Sequence, residues 1–473
     1  MESGVKLLLL LLISFSVSIY IFFALRSSSS FASQHYGRTP LISISRSLTG
    51  LFPKEALPTK SGYLSINPSA SSSAIFYAFY EALKPTSSSL SQTPLLVWLQ
   101  GGPGCSSMYG NFLELGPWRV NFHNNDADSF ILQRNPGSWN RKFGVIFLDN
   151  PIGTGFSIAA TPQEIPRDEL SVAKHLFIAI TAFMELNPSF KSRPVYIAGE
   201  SYAGKYVPAI GYYILKKNAG QLSEHRRSIN FAGIAIGNGL TDPVTQVGTH
   251  ALNAYFSGLI NQRQKGQLEK IQSEAIRFAK MELWGEATNA RYAIMDSLQS
   301  MTGLATMYDY TKKAPYKIGL VTDFLQNKKV KRALGVKESV GFTKCSDAVK
   351  AALHEDVMKS VKEMVEYLLV RKSKVLLYQG QFDLWDGVVS TEAWVETLRW
   401  EEIGKFMSAE RKVWKNMNTG ELAGYVQKWR NLSNVVFFGA GHLVPADQPL
   451  NSQAMIEDWV SDQGLFGDLN LWG

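Results

Sequence analysis

The sequence predicts an α/β fold in which helices cover both faces of a largely parallel central sheet. Six short apolar runs indicate the strands, because none of them alternates cleanly between apolar and polar residues. Helical periodicity lies between several runs, and each run ends in a glycine-rich or polar loop. The runs are LLVWL at 95–99, VIFLD at 145–149, VYIA at 195–198, FAGIAI at 231–236, KVLLY at 374–378 and NVVFF at 434–438.

Helices are predicted between these strands. One runs from Asp168 to Leu186 and stops at a following Asn-Pro, and another runs from Tyr206 to Lys217. The long stretch before KVLLY is mostly helical in pattern, for example at 262–280 and 347–369. We expect residues 246–340 to be a helical insertion that caps the active end of the sheet. The core would then consist of residues 50–245 and 341–473.

The formal net charge of +8 does not predict a nucleic-acid partner. Residues 261–350 hold 16 Lys and Arg against 9 Asp and Glu, so nearly all the excess lies in one stretch. Its run KKVKR at 328–332 lies in a helical pattern and indicates a solvated face. HExxH, paired CxxC and phosphate-loop motifs are absent from the sequence, so we expect no metal and no cofactor.

The first 32 residues are predicted to be a signal peptide or a signal anchor. An apolar stretch without charge runs from Lys6 to Arg26, and Ser30-Phe31-Ala32 offers a small-x-small cleavage site. The apolar core is longer than in most cleaved signals, so a retained anchor is the alternative, and only that would bring the chain to a membrane. Either reading predicts the secretory pathway, with a secreted or vacuolar destination. A glycosylation sequon at Asn431 is consistent with export.

The chain has two cysteines, Cys105 and Cys345. In an oxidising compartment one disulfide is the simplest expectation. Closing so long a loop would stabilise the fold by about 5 kcal/mol on the chain-entropy estimate. Two buried thiols are the alternative, and the residues alone leave it open.

The segment GESYA at 199–203 predicts a nucleophilic serine. It follows a strand and opens a helix, which is the geometry that exposes Ser201 above a sheet, although Ala203 stands where the usual motif ends in glycine. The partners in such an arrangement come later in the chain, first an acid and then a histidine.

His442 and Asp383 are the predicted partners of Ser201. Of the seven histidines, only His442 follows a strand, in the loop GAGHLVP. Asp383 ends the strand KVLLYQGQFD, and Asp386 is its competitor but lies farther from the strand end. Asp383 would hold the imidazole in the required tautomer while His442 takes the serine proton. Backbone N–H groups of Tyr202 and Gly102 would stabilise the oxyanion.

Five motifs together resemble the serine carboxypeptidase family, most of all its plant serine carboxypeptidase-like members: WLQGGPGCSS, LDNPIGTGFS, IAGESYAGKYVP, IGNGLTDP and GAGHLVPADQP. The match runs from Gly62 to Trp459. The resemblance implies an α/β-hydrolase fold and a serine-type carboxypeptidase that releases C-terminal residues from peptides or proteins at acid pH through an acyl-enzyme. It places the triad and the oxyanion donors on the residues named above, and it implies a disulfide between Cys105 and Cys345.

The resemblance also gives roles to two acids that precede and face the nucleophile. Glu200 and Glu114 would bind the terminal carboxylate of the substrate. Two crowded carboxyls cannot both ionise easily, so at acid pH one would keep its proton and donate a hydrogen bond. The alternative for Glu114 is an ordinary acid on a helix surface. Gln100, which would share in this binding, replaces the usual asparagine, as it does in vitellogenic-like and retinoid-inducible members.

Two other functions stay open at this stage. Plant members of the family include acyltransferases that use the same triad and sugar-ester donors, but these tend to carry aspartate before the serine, so Glu200 favours the peptidase. A catalytically silent binding relative is the second alternative, and the intact Ser201, Asp383 and His442 argue against it. The sequence does not decide the preferred substrate side chains, proteolytic processing or homodimer formation.

Overall fold

The strands of the protein were assigned in a computed structural model, which describes residues 41–43, 52–67, 71–123, 126–220 and 229–467. The predicted signal segment, residues 1–32, lies outside this part of the chain. The described residues from 42 onward cluster as one unit. The strands are β1 (Leu41–Ser43), β2 (Lys60–Ser65), β3 (Ala74–Tyr80), β4 (Leu95–Leu99), β5 (Trp118–His123), β6 (Asp126–Arg134), β7 (Gly144–Leu148), β8 (Val195–Glu200), β9 (Phe231–Gly237), β10 (Lys374–Gly380), β11 (Arg411–Lys415), β12 (Leu422–Trp429) and β13 (Leu432–Phe437).

A ten-stranded sheet has the order β11-β12-β13-β10-β9-β8-β4-β7-β3-β2. Its six central strands, from β13 to β7, pair in parallel, and they are the six runs predicted from the sequence. Antiparallel strands extend it at both edges, β3 and β2 at one and β12 and β11 at the other. A separate antiparallel pair is formed by β5 and β6.

The central strands lack alternation because both of their faces are buried. In β4, Leu95, Val97 and Leu99 pack into one apolar cluster, while Leu96 and Trp98 pack into another. Each such side chain stabilises the fold by roughly 1.5–3 kcal/mol relative to exposure. The sheet is therefore fixed in register and holds the loops at its carboxyl edge in place.

Fourteen α-helices occur in the described part of the chain. They are α1 (Glu169–Glu185), α2 (Ala203–Ala219), α3 (Pro243–Gln246), α4 (His250–Phe256), α5 (Gln262–Lys280), α6 (Trp284–Thr302), α7 (Ile318–Gln326), α8 (Lys328–Ala333), α9 (Asp347–Ala352), α10 (Lys362–Val370), α11 (Val388–Val395), α12 (Ile403–Met407), α13 (Val444–Asp447) and α14 (Pro449–Ser461). None of the helices in the described ranges is long and apolar enough to cross a membrane.

Helices α1 and α5 begin within one residue of the predicted starts, whereas α2 begins at Ala203, three residues before the predicted Tyr206. Asp168 caps α1 by accepting a bond from the N–H of Ser171, and Asn261 caps α5 with a capping box. The segment 347–369, which is mostly helical in pattern, forms two α-helices, because the chain leaves the helix after α9 and re-enters it at α10. Helices α4 to α8 lie within the predicted insertion, whose boundaries stay a prediction.

Candidate active site

Ser201 lies on a sharp turn between β8 and α2. Its φ of 61° is left-handed, an unusual backbone for a serine, and the turn is held by bonds at both backbone groups. The N–H of Ser201 donates to Gly237 O at 3.0 Å, and its carbonyl accepts from Gly204 N at 2.8 Å. The methyl of Ala203 fits because Gly199 faces it: a Cβ on Gly199 would lie 2.7 Å from Ala203 Cβ. The departure from the usual motif therefore leaves the turn intact.

Asp383 and His442 meet beside this turn. Asp383 Oδ2 and His442 Nδ1 are 2.7 Å apart, and both side chains are buried. Asp383 follows β10, and its carboxylate also accepts from Asn238 Nδ2 at 2.8 Å and from the N–H of Trp385 at 2.8 Å. These bonds fix the carboxylate, which in turn fixes the ring of His442.

The ring of His442 is held by Asp383 and Tyr308. Within the described residues His442 Nε2 has no hydrogen-bond partner, Ser201 included. Tyr308 stacks on the ring, with centroids 4.5 Å apart, and its carbonyl accepts from the His442 N–H. Burial by itself would lower the pKa of His442, but the charge and hydrogen bond of Asp383 outweigh it and raise the pKa above the ordinary histidine value.

The competing acid Asp386 is turned toward another partner. Its carboxylate lies 3.3 Å from Nη2 of Arg291, which is on α6, and its backbone N–H donates to Asp383 Oδ2 at 3.1 Å. Asp386 therefore contacts Arg291 and Asp383, whereas Asp383 is the acid that bonds His442.

Gly102 and Tyr202 line the same pocket as Ser201. Within the described residues, the amides of Gly102 and Tyr202 donate no hydrogen bond. The loop that carries Gly102 lies directly on the turn, because a Cβ on Gly101 would come within 2.6 Å of Tyr202 N. Gly102 itself has a φ of 118°, which favours glycine. The two amides form a pair of donors suited to an oxyanion.

Asp149 ties this loop to the loop after β7. Its buried carboxylate accepts from Ser106 Oγ at 2.6 Å, from Ser107 N at 2.8 Å and from Phe156 N at 2.8 Å. Burial raises the pKa of Asp149 to about 6, although these bonds act in the opposite direction. The sequence motifs contain Asp149, but their pattern did not indicate this role.

Glu114 and Glu200 form a buried carboxyl pair joined by Gln100. Gln100 Nε2 donates to Glu200 Oε1 at 2.6 Å and to Glu114 Oε1 at 3.2 Å. Its Oε1 accepts from Trp98 Nε1 and from Gly110 N. Glu114 ends a π-helical turn, Gly110–Glu114, and is 1% exposed, so it is not a surface acid.

The second oxygen of each acid, Glu114 Oε2 and Glu200 Oε2, has no partner within the described residues. Burial raises the pKa of both carboxyls, and the charge of Glu114 raises that of Glu200 further. Since a buried unpaired carboxylate is costly, the arrangement favours a shared proton.

A disulfide joins Cys105 and Cys345, and the structure describes no free cysteine. It fastens the loop of Gly102 to the start of α9, where Ser346 N also donates to Gly104 O at 2.9 Å. The pairing is the one that the resemblance implies. At Asn431, the side-chain amide donates to Leu369 O and Ser373 O, so a glycan there would replace one of two bonded hydrogens, and glycosylation stays a prediction.

The comparisons with known proteins decide the family. A family model described as serine carboxypeptidase matches residues 51–462. The chain belongs to the serine carboxypeptidase family. This serine carboxypeptidase is 57% identical over 417 residues to serine carboxypeptidase-like 50 of Arabidopsis thaliana, covering 88% of this chain and 90% of the relative. It is 33% identical over 411 residues to the probable serine carboxypeptidase CPVL of Dictyostelium discoideum, covering 86% and 79%.

A solved structure also matches. The crystal structure of Kex1(delta)p, a prohormone-processing carboxypeptidase from Saccharomyces cerevisiae, superposes with a TM-score of 0.76 at 25% identity and covers 88% of this chain and 94% of that one. The resemblance inferred from the motifs, the α/β-hydrolase fold and the assignment as a serine carboxypeptidase hydrolase are confirmed.

The structure brings the predicted residues of this serine carboxypeptidase to one edge of the sheet, and it adds three that the sequence did not single out. Asn238 bonds Asp383, Tyr308 stacks on His442, and Arg291 pairs with Asp386. Asn238 lies in the motif IGNGLTDP, which could have indicated it from the sequence. Tyr308 and Arg291 lie in the predicted insertion, where no motif indicates them. Among the described residues no group of three or more His, Cys, Asp or Glu is placed to hold a metal ion.

Proposed function

We propose that this serine carboxypeptidase releases the C-terminal residue of peptides or proteins through an acyl-enzyme at acid pH. Ser201 Oγ attacks the last peptide carbonyl while His442 takes its proton, and Gly102 and Tyr202 donate to the oxyanion. The C–N bond then breaks as His442 passes the proton to the leaving amine. Water, activated by the same histidine, hydrolyses the ester and regenerates Ser201. Asp383 holds the imidazole throughout.

The observation that carries this proposal is the carboxyl pair beside the nucleophile. Glu114 Oε2 and Glu200 Oε2 are buried and have no hydrogen-bond partner within the described residues, so a proton shared by the two acids would stabilise the pair. A protonated carboxyl there would donate to a substrate carboxylate, and such a site suits the free end of a chain. The side-chain amide of Gln100 donates its hydrogen bonds to the two acids. We therefore assign Gln100 to orienting the pair rather than to contacting the substrate.

The pH dependence follows from two groups of opposite effect. Protonation of His442 stops general-base catalysis and therefore sets the acid limb of the profile. Ionisation of the Glu114–Glu200 pair would repel the substrate carboxylate as pH rises. We expect a bell-shaped profile of kcat/KM whose alkaline limb belongs to the pair.

The test compares one blocked dipeptide as its free acid and as its C-terminal amide, from about pH 4.5 to about pH 7.5. His442 serves both substrates, so the ratio of their kcat/KM values isolates the recognition of the carboxylate. We expect the acid-to-amide ratio to be high in acid and to fall with rising pH. In Glu200→Gln the ratio should be lower in acid and change less with pH. A constant ratio in the parent enzyme would contradict the proposal and favour acyl transfer or esterase chemistry.

Peptide or protein C-termini are the substrates that this site fits, and a secreted or vacuolar destination follows from the predicted signal segment. The similarity to Kex1(delta)p, a prohormone-processing carboxypeptidase, supports a peptide substrate with a free C-terminus. Acyl transfer from a sugar ester would use the same serine and would need no carboxylate recognition, so the acid-to-amide comparison separates the two.

A further inference from the structure

A pocket of about 200 Å³ opens beside Ser201. Ser201, Gly102 and Tyr202 line one end of it, and the pocket includes none of Gln100, Glu114 and Glu200. We call it the acyl pocket. Its other walls are supplied by α6, the loop after α6, α9 and the loop after β10, through Arg291, Tyr292, Tyr308, Lys350, Trp385 and Asp386.

The position of the acyl pocket decides which substrate residue enters it. In the proposed function the last residue lies between Ser201 and the pair of Glu114 and Glu200, which hold its carboxylate. The carbonyl under attack belongs to the residue before it, whose oxygen points to Gly102 and Tyr202. A pocket that shares the nucleophile and the oxyanion donors but excludes the acids therefore receives the side chain of the penultimate residue.

The acyl pocket contains a buried cation with an unused donor. The side chain of Arg291 is 4% exposed, and its Nε has no hydrogen-bond partner within the described residues. Its Nη2 lies 3.3 and 3.4 Å from the oxygens of Asp386, distances longer than a good charge-assisted bond. The guanidinium lies over the ring of Trp385, 5.4 Å from its centroid. A buried donor without an acceptor is costly unless a ligand supplies one.

A second cation lines the same pocket. Lys350 is exposed on α9, forms no ion pair within the described residues, and places Nζ 5.4 Å from the ring centroid of Tyr292. Against these two cations the lining holds one carboxylate, that of Asp386. The disulfide of Cys345 fastens the start of α9 to the oxyanion loop, so Lys350 keeps its place relative to Ser201.

We propose that the acyl pocket selects an acidic side chain at the penultimate position, so that the preferred substrates end in glutamate or aspartate followed by one further residue. Arg291 and Lys350 are the specificity-determining residues, and the positive charges of both would attract a substrate carboxylate in the pocket. This inference rests on the proposed carboxypeptidase function and deepens it by naming the substrate class.

The experiment compares two blocked dipeptide acids that differ only in glutamate or glutamine at the penultimate position. Near pH 5.5 the glutamate is mostly ionised, while the two side chains have nearly the same shape. We expect kcat/KM to be about tenfold higher for the glutamate peptide. This is the gain in binding expected from one charge-assisted hydrogen bond in a site without water. Equal values for the two peptides, with both cleaved, would overturn this inference and leave the proposed function standing. Cleavage of neither peptide would overturn both.

Variants assign the preference to the two cations. Lys350→Met should lower the glutamate-to-glutamine ratio by severalfold, and Arg291→Gln, which keeps a donor toward Asp386, should lower it further. Lys344→Met removes the same charge from the same segment but outside the lining, so it should keep the parent ratio. If Arg291→Gln fails to fold, the glutamate-to-glutamine ratio of Lys350→Met still tests whether the pocket selects an acidic side chain. A ratio unchanged in Lys350→Met, or lowered equally by Lys344→Met, would contradict the assignment.

Discussion

At the scale of single residues, Gln100 shows how one side chain can set the chemistry of two others. Its amide oxygen is held by Trp98 and Gly110, so its nitrogen can point only toward Glu114 and Glu200. Its hydrogen bonds lower the pKa of both acids, against the larger effect of burial. Gln100 therefore adjusts the pH at which the pair loses its proton.

Gln100→Met keeps the length of the side chain but removes both donors. We expect the pKa of the pair to rise further, so the alkaline limb of kcat/KM for a free-acid peptide should move to higher pH. The maximum should fall by about tenfold, because the acids lose their orientation. Gln100→Asn, which keeps an amide, is the matched control and should move the limb less. An alkaline limb of Gln100→Met that coincides with that of the parent would contradict this role.

Ser201→Ala should abolish turnover and leave the fold intact. The covalent route needs the hydroxyl, and the oxyanion donors alone give only residual catalysis. Alanine meets the same backbone strain at this left-handed position as serine does, so we expect the thermal midpoint to stay close to that of the parent. The measurement is phosphonate labelling together with peptide cleavage. Labelling or full cleavage in the variant would show that another residue is the nucleophile.

The sequence could place Ser201, Asp383 and His442 at one edge of the sheet, because each lies next to a strand end in the expected chain order. Arg291 could not, because it meets Asp386 across 95 residues and lies in a helix whose pattern shows only that it packs. The part of Gln100 in carboxylate binding stays a prediction, and the sequence could not show that its amide bonds Trp98, Gly110, Glu114 and Glu200. Such roles depend on which partners the fold brings near.

At the scale of elements, α2 connects the nucleophile to a buried charge cluster. Lys205, in the first turn of α2, places Nζ 2.5 Å from Asp356 Oδ2, and both side chains are buried. Tyr202 OH donates to the same carboxylate at 3.1 Å. Glu169 of α1 lies beside this cluster; burial, and then the charge of Asp356, raise its pKa well above the ordinary value. The cluster holds α1, α2 and the segment before α10 together beneath the oxyanion donor.

Lys205→Met should destabilise the protein by about 3–5 kcal/mol, because it leaves Asp356 buried without its counter-charge. Unfolding in urea would measure the loss. The double variant Lys205→Met with Asp356→Asn removes the stranded charge and should recover part of the stability, as a double-mutant cycle would show. A single variant as stable as the parent would mean that the ion pair contributes nothing to the fold.

Across the whole molecule, the sequence predicted the parallel centre of the sheet but not its antiparallel edges. Strand β11 has mostly exposed residues, so its apolar signal is weak. Strand β3 is fully buried, and its apolar run AIFYAFY indicates a strand. It follows a Ser-rich loop, however, and it pairs antiparallel with β2. Burial on both faces is visible in a sequence, whereas the direction in which an edge strand pairs is set by its connections.

The molecule also carries several buried acids whose pKa is raised, and together they predict greater stability in acid. Below about pH 4 these carboxyls are protonated in both the folded and unfolded states. As pH rises, the unfolded chain ionises first, and the folded state must then either keep its protons or bury charge. For Asp149 this loss of stability extends to about pH 6, and Glu114, Glu169 and Glu200 act in the same direction.

We therefore expect the midpoint of thermal unfolding to fall as pH rises from about 4.5 to about 7, the range that separates the ordinary carboxyl pKa from the raised values. The raised pKa of His442 adds to the same trend, because its protonated form is favoured in the folded state. In Glu200→Gln one of these groups no longer titrates, so the loss of stability over this range should shrink by on the order of 1 kcal/mol. Glu274→Gln, at an exposed position on α5, is the control and should keep the slope of the parent. A midpoint that is constant or rises over the range would show that the buried acids are not held protonated by the fold.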